Sequence, residues 1–210
     1  LPYSLTRYTL LPQSIQHLHF GDMGAKCQHF TTFYKYTNSR VADDALSYVG
    51  WNQNLISIGM SGSRFAGYIL RGAFQSKNLK HLNLGGNCIN WKEIDTLEKL
   101  IDGCDNLETI DLSDNRISTF PLYRIACKLC LNKSVKSINL AYNEFGGDGA
   151  LFVRDMLLTN DTLRYIDLSD NGRKTRANLS DFLGSPHRKI LVHSNRKATL
   201  RKGCARNGRY

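Results

Sequence analysis

Cys127 and Cys130 stand three residues apart with Lys128 and Leu129 between them, the spacing of half a zinc site. A closed structural zinc site takes about four ligands, and no second pair lies at a usable distance along the chain. The surrounding stretch reads as helix, so both thiols are expected to pack rather than coordinate. "GGDGA", residues 146–150, precedes a helical stretch and could face an anion at a helix N-terminus. It lacks the Lys-Ser/Thr that completes a phosphate loop, so Gly149 is expected to be structural. The six His are dispersed, and no nucleophile and base fall into a usable set. The sequence therefore predicts no catalytic residue, no metal, no cofactor and no enzyme.

Charge is the stronger signal. The chain of 210 residues carries a net charge of +10, and residues 1–172 balance to zero. The excess is confined to Arg173, Lys174, Arg176, Arg188, Lys189, Arg196, Lys197, Arg201, Lys202, Arg206 and Arg209, against which stands only Asp181. Such a one-sided run predicts contact with an acidic partner, whether RNA, an anionic membrane or an acidic protein. Tyr210 is the one aromatic of residues 196–210, so contact with phosphate is expected in preference to base stacking. The stretch 196–210 is too polar to pack a core.

These residues must be carried by some frame, and the frame is periodic. "LKHLNLGGN", "LETIDLSDN", "VKSINLAYN" and "LRYIDLSDN" begin at Leu79, Leu107, Val135 and Leu163. Each closes on an Asn, and Asn87, Asn115, Asn143 and Asn171 recur every 28 residues. Periods of this size signal a stacked architecture. The apolar-x-apolar centre alternates as a short strand does, and the rest of each repeat has helical spacing. Pro121 stands near a helix start with Leu122, Ile125 and Leu129 behind it, and Leu151, Met156 and Leu157 form the next stripe. One strand and one helix cannot bury their faces alone, so neighbours must stack. The repeated Asn carries both donor and acceptor. It is expected to form a buried ladder that satisfies the backbone where strand turns toward helix.

Over residues 79–171 the pattern resembles the leucine-rich repeat proteins. The 28-residue length and "NEFGGDGALFVRDMLLTNDTL" are similar to the ribonuclease-inhibitor-like class, which includes repeats of Ran GTPase-activating proteins and NOD-like receptors. The resemblance implies an α/β solenoid, with a parallel sheet on the concave face and helices on the convex face. Fold alone leaves function open.

Within that frame the concave rows can be read. Asn83, Asp111, Asn139 and Asp167 lie between the two core apolar positions, His81, Thr109, Ser137 and Tyr165 just before them, and Gly85, Ser113, Ala141 and Ser169 just after. The face is expected to be polar and mildly acidic, with Tyr165 as its one large anchor for a protein partner. "QNLISIGMS" (53–61), "IQHLHFGDM" (15–23) and "HRKILVHSN" (187–195) fit the strand phrase loosely, as end units do. An insertion within 24–50 holds Phe30, Phe33, Tyr34 and Tyr36, a candidate docking edge or cap over the first repeat. The expected organisation is an N-terminal cap at 1–52, a solenoid at 53–195 and a basic tail at 196–210.

Scattered Cys without a Cys-rich end cap point to a reducing compartment, intracellular and either cytoplasmic or mitochondrial. No secretory signal is evident, and the first 21 residues hold one Arg and no acid, a composition compatible with an organelle-targeted precursor. No apolar run reaches the length of a membrane span. Asn132, Asn160 and Asn178 open formal glycosylation sequons that an intracellular protein would not use. The leading expectation is a non-catalytic protein-binding scaffold, an accessory subunit of a larger assembly. An RNA-contacting subunit of a ribonucleoprotein, such as an organellar ribosome, is the alternative. Regulation of a GTPase or ubiquitin ligase rests on fold analogy alone.

Overall fold

The computed structural model describes residues 16–20, 54–60, 70, 73, 76–89, 91–172 and 174–193. Seven short strands form one parallel sheet in chain order. They are β1 (His17–Phe20), β2 (Ser57–Met60), β3 (His81–Asn83), β4 (Thr109–Asp111), β5 (Ser137–Asn139), β6 (Tyr165–Asp167) and β7 (Lys189–Leu191). Helices α1 (Trp91–Gly103), α2 (Thr119–Leu131) and α3 (Gly146–Thr159) return the chain between successive strands. The last return shrinks to a single turn, α4 (Thr175–Asn178), and a 3₁₀ turn at Ser180–Phe182. The molecule is an α/β leucine-rich repeat solenoid with its helices opposite the open face of the sheet.

Register is constant from repeat to repeat. Leu82, Ile110, Ile138, Ile166 and Ile190 are paired across neighbouring strands, one apolar residue per strand. Their side chains point inward with Leu84, Leu112, Leu140 and Leu168, while the flanking strand residues stay half-exposed. Each helix contributes one stripe to the same core. In α3 the stripe runs Ala150, Val153, Met156 and Leu157, and Leu151 sits only half-buried beside it. The sequence-based stripe holds at Met156 and Leu157 and misses at Leu151, where Ala150 and Val153 face the core instead. Gly149 lies inside the first turn. A Cβ there would stand 2.6 Å from the Cβ of Phe145, so only glycine admits this packing.

Two side-chain ladders hold the stack. The first is the Asn of each phrase, buried where strand turns to helix. The amide of Asn143 donates to Leu140 and Ala141 in its own turn and to Leu112 one repeat back. Its Oδ1 accepts from Ile117 N–H of that previous repeat at 3.0 Å. Asn115 and Asn171 repeat the pattern, reaching Leu84 and Leu140.

The second ladder stands at the other end of the helices, and sequence reading missed it. Ser76, Cys104, Asn132, Asn160 and Arg188 also recur every 28 residues, but no residue type is constant. Cys104 Sγ donates to the Leu79 carbonyl at 3.3 Å and lies 3.7 Å from that of Ser76. Burial pushes the Cys104 thiol up, which keeps it a donor. Asn132 donates to Ile101, and Asn160 donates to Leu129 and Asn132. Arg188 then takes the corresponding carbonyls, those of Leu157 and Asn160. Those of Ile101, Leu129 and Leu157 stand in the last turns of the three helices, where carbonyls lack an intrahelical partner, and that of Leu79 stands at the strand entrance. The 28-residue rule therefore outlives Asn171, although the last strand arrives only 24 residues after its predecessor.

Two further expectations meet the structure at its cysteines and helices. Cys88 is disulfide-bonded, whereas Cys104, Cys127 and Cys130 are free thiols. No helix among the described residues is long and apolar enough to cross a membrane.

Candidate functional site

The exposed rows of the sheet assemble as aligned columns. His81, Thr109, Ser137, Tyr165 and Lys189 form one, and Asn83, Asp111, Asn139, Asp167 and Leu191 the next. Adjacent strands lie about 4.8 Å apart, so each column is a near-continuous line of side chains. In the second column every Asn or Asp performs the same local task. Its Oδ1 accepts the N–H two residues on: Gly85 for Asn83, Ser113 for Asp111, Ala141 for Asn139 and Ser169 for Asp167, at 2.9–3.1 Å. This turn explains the residue types, since Asn and Asp share the accepting oxygen. One polar atom of each side chain stays available for a partner, held in a fixed place.

The first column is joined differently. His81 Nδ1 lies 2.8 Å from Thr109 Oγ1. The Lys189 ammonium sits 5.9 Å from the centre of the Tyr165 ring, close enough for a cation–π contact. Burial, then the carboxylates of Asp167 and Asp111, push the Tyr165 phenol up, so it stays a hydrogen-bond donor through the neutral range.

Beyond the second column the chain turns through left-handed backbone at the same phrase position in each repeat, Gly86, Asp114, Tyr142 and Asp170, with φ of 68°, 53°, 57° and 57°, and does so again at Cys88, Gly146 and Gly172. A bulky residue at such φ is unusual and costs about 1 kcal/mol. Tyr142 holds the position because its N–H, like that of Asp114, is bonded to the next repeat. The outcome is a charge gradient along the strand direction that sequence reading did not draw. Lys80, Lys136 and Arg164 stand at the strand entrances, with Glu108 among them. The Lys136 ammonium, 3.0 Å away, holds the Glu108 carboxyl below its usual range. Asp111, Asp167, Asp114 and Asp170 collect at the exits. The signal was present within the phrases themselves, at their second, fifth and eighth positions.

The basic residues scatter to several fates. Arg188 is committed to the α3 carbonyls and is not a free contact for an acidic partner. Lys189 joins the concave face beside Tyr165. Arg176 reaches the Val192 carbonyl at 3.4 Å, and Lys174 precedes α4, exposed. Arg173, Arg196, Lys197, Arg201, Lys202, Arg206 and Arg209 lie outside the described residues, as do Phe30, Phe33, Tyr34 and Tyr36.

On the helical side, Cys127 is exposed and Cys130 half-buried, with Leu129 in the core between them. Among the described residues no three His, Cys, Asp or Glu side chains converge as a metal site. Asn132, Asn160 and Asn178 all spend their side chains on backbone carbonyls, which leaves the sequon amides engaged. An aromatic group that the sequence reading passed over, Phe120, Tyr123 and Phe152, lies on this side with ring centroids 6.3 and 4.9 Å apart. Phe120 is 64% exposed. These rings fall just off the buried stripes, which was the available clue.

Comparison with known proteins bears on this frame. One leucine-rich repeat family model matches residues 75–90 and 131–153, and another matches residues 106–127. No curated protein is similar enough in sequence to count as a relative. Among solved structures, a tropomodulin C-terminal domain from Caenorhabditis elegans superposes with a TM-score of 0.55 at 16% identity, over 69% of this chain and 90% of that one. A structure described as leiomodin-1 actin-binding site 2 gives 0.51 at 20% identity, over 73% and 79%. At these identities the likeness is one of fold. The repeats, the parallel sheet and the matched models together make this chain a leucine-rich repeat protein.

Proposed function

We propose that this protein is a non-catalytic binding scaffold, an accessory subunit of a larger assembly that takes a protein partner on the open face of its sheet. The observation that carries this reading is the pre-set second column: Asn83, Asp111, Asn139 and Asp167 are each anchored to their own turn. Side chains already fixed lose little entropy on docking. Tyr165, ringed by Asp167, Asp111 and Lys189, supplies the aromatic anchor. The charge gradient favours a partner with acidic groups toward the strand entrances and basic groups toward the exits. Phosphate would be repelled by Asp111 and Asp167, so RNA contact would fall to the basic residues after 195. Because a solved neighbour is described as an actin-binding site, actin is the first partner to test.

The test is a comparison of three proteins: wild type, Asp111→Lys/Asp167→Lys, and Phe120→Ser on the helical side. Partners recovered from native extract are quantified, and cosedimentation with actin filaments is measured. A partner set retained by Phe120→Ser and reduced about tenfold or more by the face variant supports the reading. Equal recovery by both variants removes the open face as the binding surface.

A further inference from the structure

We propose that the cleft at the entrances of β6 and β7 seats an acidic, partly apolar segment of the protein partner, with Arg164 as the residue that takes its carboxylate. The inference rests on the reading of the open face as a binding surface and names the chemistry that its basic end would recognise.

The cleft lies where the last full helix gives way to the short α4 return. Asp161, Arg164, Phe182, Ser185, His187 and Arg188 line about 430 Å³ of space. Ligand sites commonly enclose about 300–1,000 Å³. The loop after α3 supplies Asp161, the entrance of β6 Arg164, the 3₁₀ turn Phe182 and the approach to β7 the rest. Phe182 is half-buried against the core and gives the cleft an apolar wall.

The polar groups divide into those already spent and those left to a ligand. Arg188 donates to the Leu157 and Asn160 carbonyls, so it holds the wall and lends charge. Asp161 is the one carboxylate in the lining, and Lys133 takes it at 2.7 Å. Arg164 gives one N–H to the Asp161 carbonyl, and among the described residues its other donors meet no carboxylate. A guanidinium with an open edge can hold a carboxylate through two N–H groups. His187 is exposed and offers a ring N–H. Lys189, next along the chain, carries the positive charge onto the open face beside Tyr165. Asp181, next to Phe182, is exposed and accepts from Ser180, while Asp167 farther along β6 turns an oxygen to the Ser169 N–H. Lys133, Arg164, Arg188 and Lys189 outnumber Asp161 and Asp181, so an anion is drawn to this corner. RNA takes a track of cations along its backbone. One open guanidinium beside an apolar wall, with two carboxylates in or next to the cleft, suits a carboxylate on an apolar stem instead.

The test follows the backbone amides of the isotope-labelled full chain by NMR while an end-blocked hexapeptide of alternating Glu and Leu is added. The expected result is saturable shifts at Arg164, Ser185 and His187. Arg164→Gln should weaken this binding about tenfold, as loss of a charge-assisted pair does. His187→Ser should weaken it about threefold. Lys174→Gln, which removes an exposed cation outside the cleft, should leave it unchanged. Shifts confined to residues after 193 overturn the proposal. So does equal binding by wild type and Arg164→Gln, with the rest of the spectrum unchanged. A hexauridylate that moves the same amides at lower concentration than the peptide overturns the assignment to a protein segment. No arm uses Asp111→Lys/Asp167→Lys, so failure here leaves the partner comparison of the face variants standing.

Discussion

The two side-chain ladders run through the same repeats at the same 28-residue step, yet one is uniform and the other varied. In the ladder at the strand exits, Asn87, Asn115, Asn143 and Asn171 are identical. Asn143 shows why: it donates to three carbonyls and accepts the Ile117 N–H in a buried turn. Only a side chain with both an amide and a carbonyl does this in that volume. In the ladder at the helix ends Asn132 and Asn160 also use both groups, their Oδ1 accepting N–H groups of the following turn, but Arg188 has no acceptor to offer. The shared requirement there is a donor aimed at carbonyls about one repeat back, and Cys104, Asn132, Asn160 and Arg188 each meet it with a different reach. Chemical demand, rather than structural importance, decides whether a position looks constant from repeat to repeat.

Substitutions can break that contrast, and a core truncation sets the scale. Leu140→Ala, between the ladders, should cost about 2–5 kcal/mol. Asn143→Ala should cost about 1–3 kcal/mol, at the upper end because several buried partners are left unsatisfied. Both are read as shifts in urea midpoint at constant slope. If Asn143→Ala melts like wild type, the uniform ladder is not needed for the fold.

A milder set addresses the varied ladder. Asn132→Cys reproduces the residue that serves one repeat earlier and should cost about 1 kcal/mol, whereas Asn143→Cys should behave like Asn143→Ala. Equal losses for the two Cys variants would erase the difference between the ladders. The smallest effect concerns pH. The Cys104 thiol is held protonated in the folded state, so its contribution is complete below the ordinary thiol range near about 8.5. It is lost as pH rises through the raised folded value. Stability of wild type should therefore fall more steeply between about pH 8 and pH 10 than that of Cys104→Asn, measured by denaturant titration.

The same contrast explains how much could be read in advance. The strand register was legible because Leu82, Ile110, Ile138 and Ile166 sit at one phrase position. The two concave columns could be read from alternation alone. The role of Arg188 was not legible, because the helix-end ladder has no shared residue type and the strand after Arg188 arrives early. It therefore looked like one more charge in a basic run. The gradient across the face was hidden for a different reason. Asp114, Tyr142 and Asp170 share a backbone conformation rather than a side-chain chemistry, and φ is not visible in a residue string. Phe120, Tyr123 and Phe152 escaped because apolar residues were assigned inward once a stripe was found.

The 28-residue step is also a symmetry operation. The amides of Asn115, Asn143 and Asn171 each find their long-range acceptor 31 residues back, and so does that of Asn160. A second copy of residues 108–135 placed in tandem would meet at each seam the partners its neighbours already use. The sheet would lengthen by about 4.8 Å and both ends would be left as they are. The protein is thus a ruler whose length can be reset by whole units, with the size of its open face set by the number of repeats.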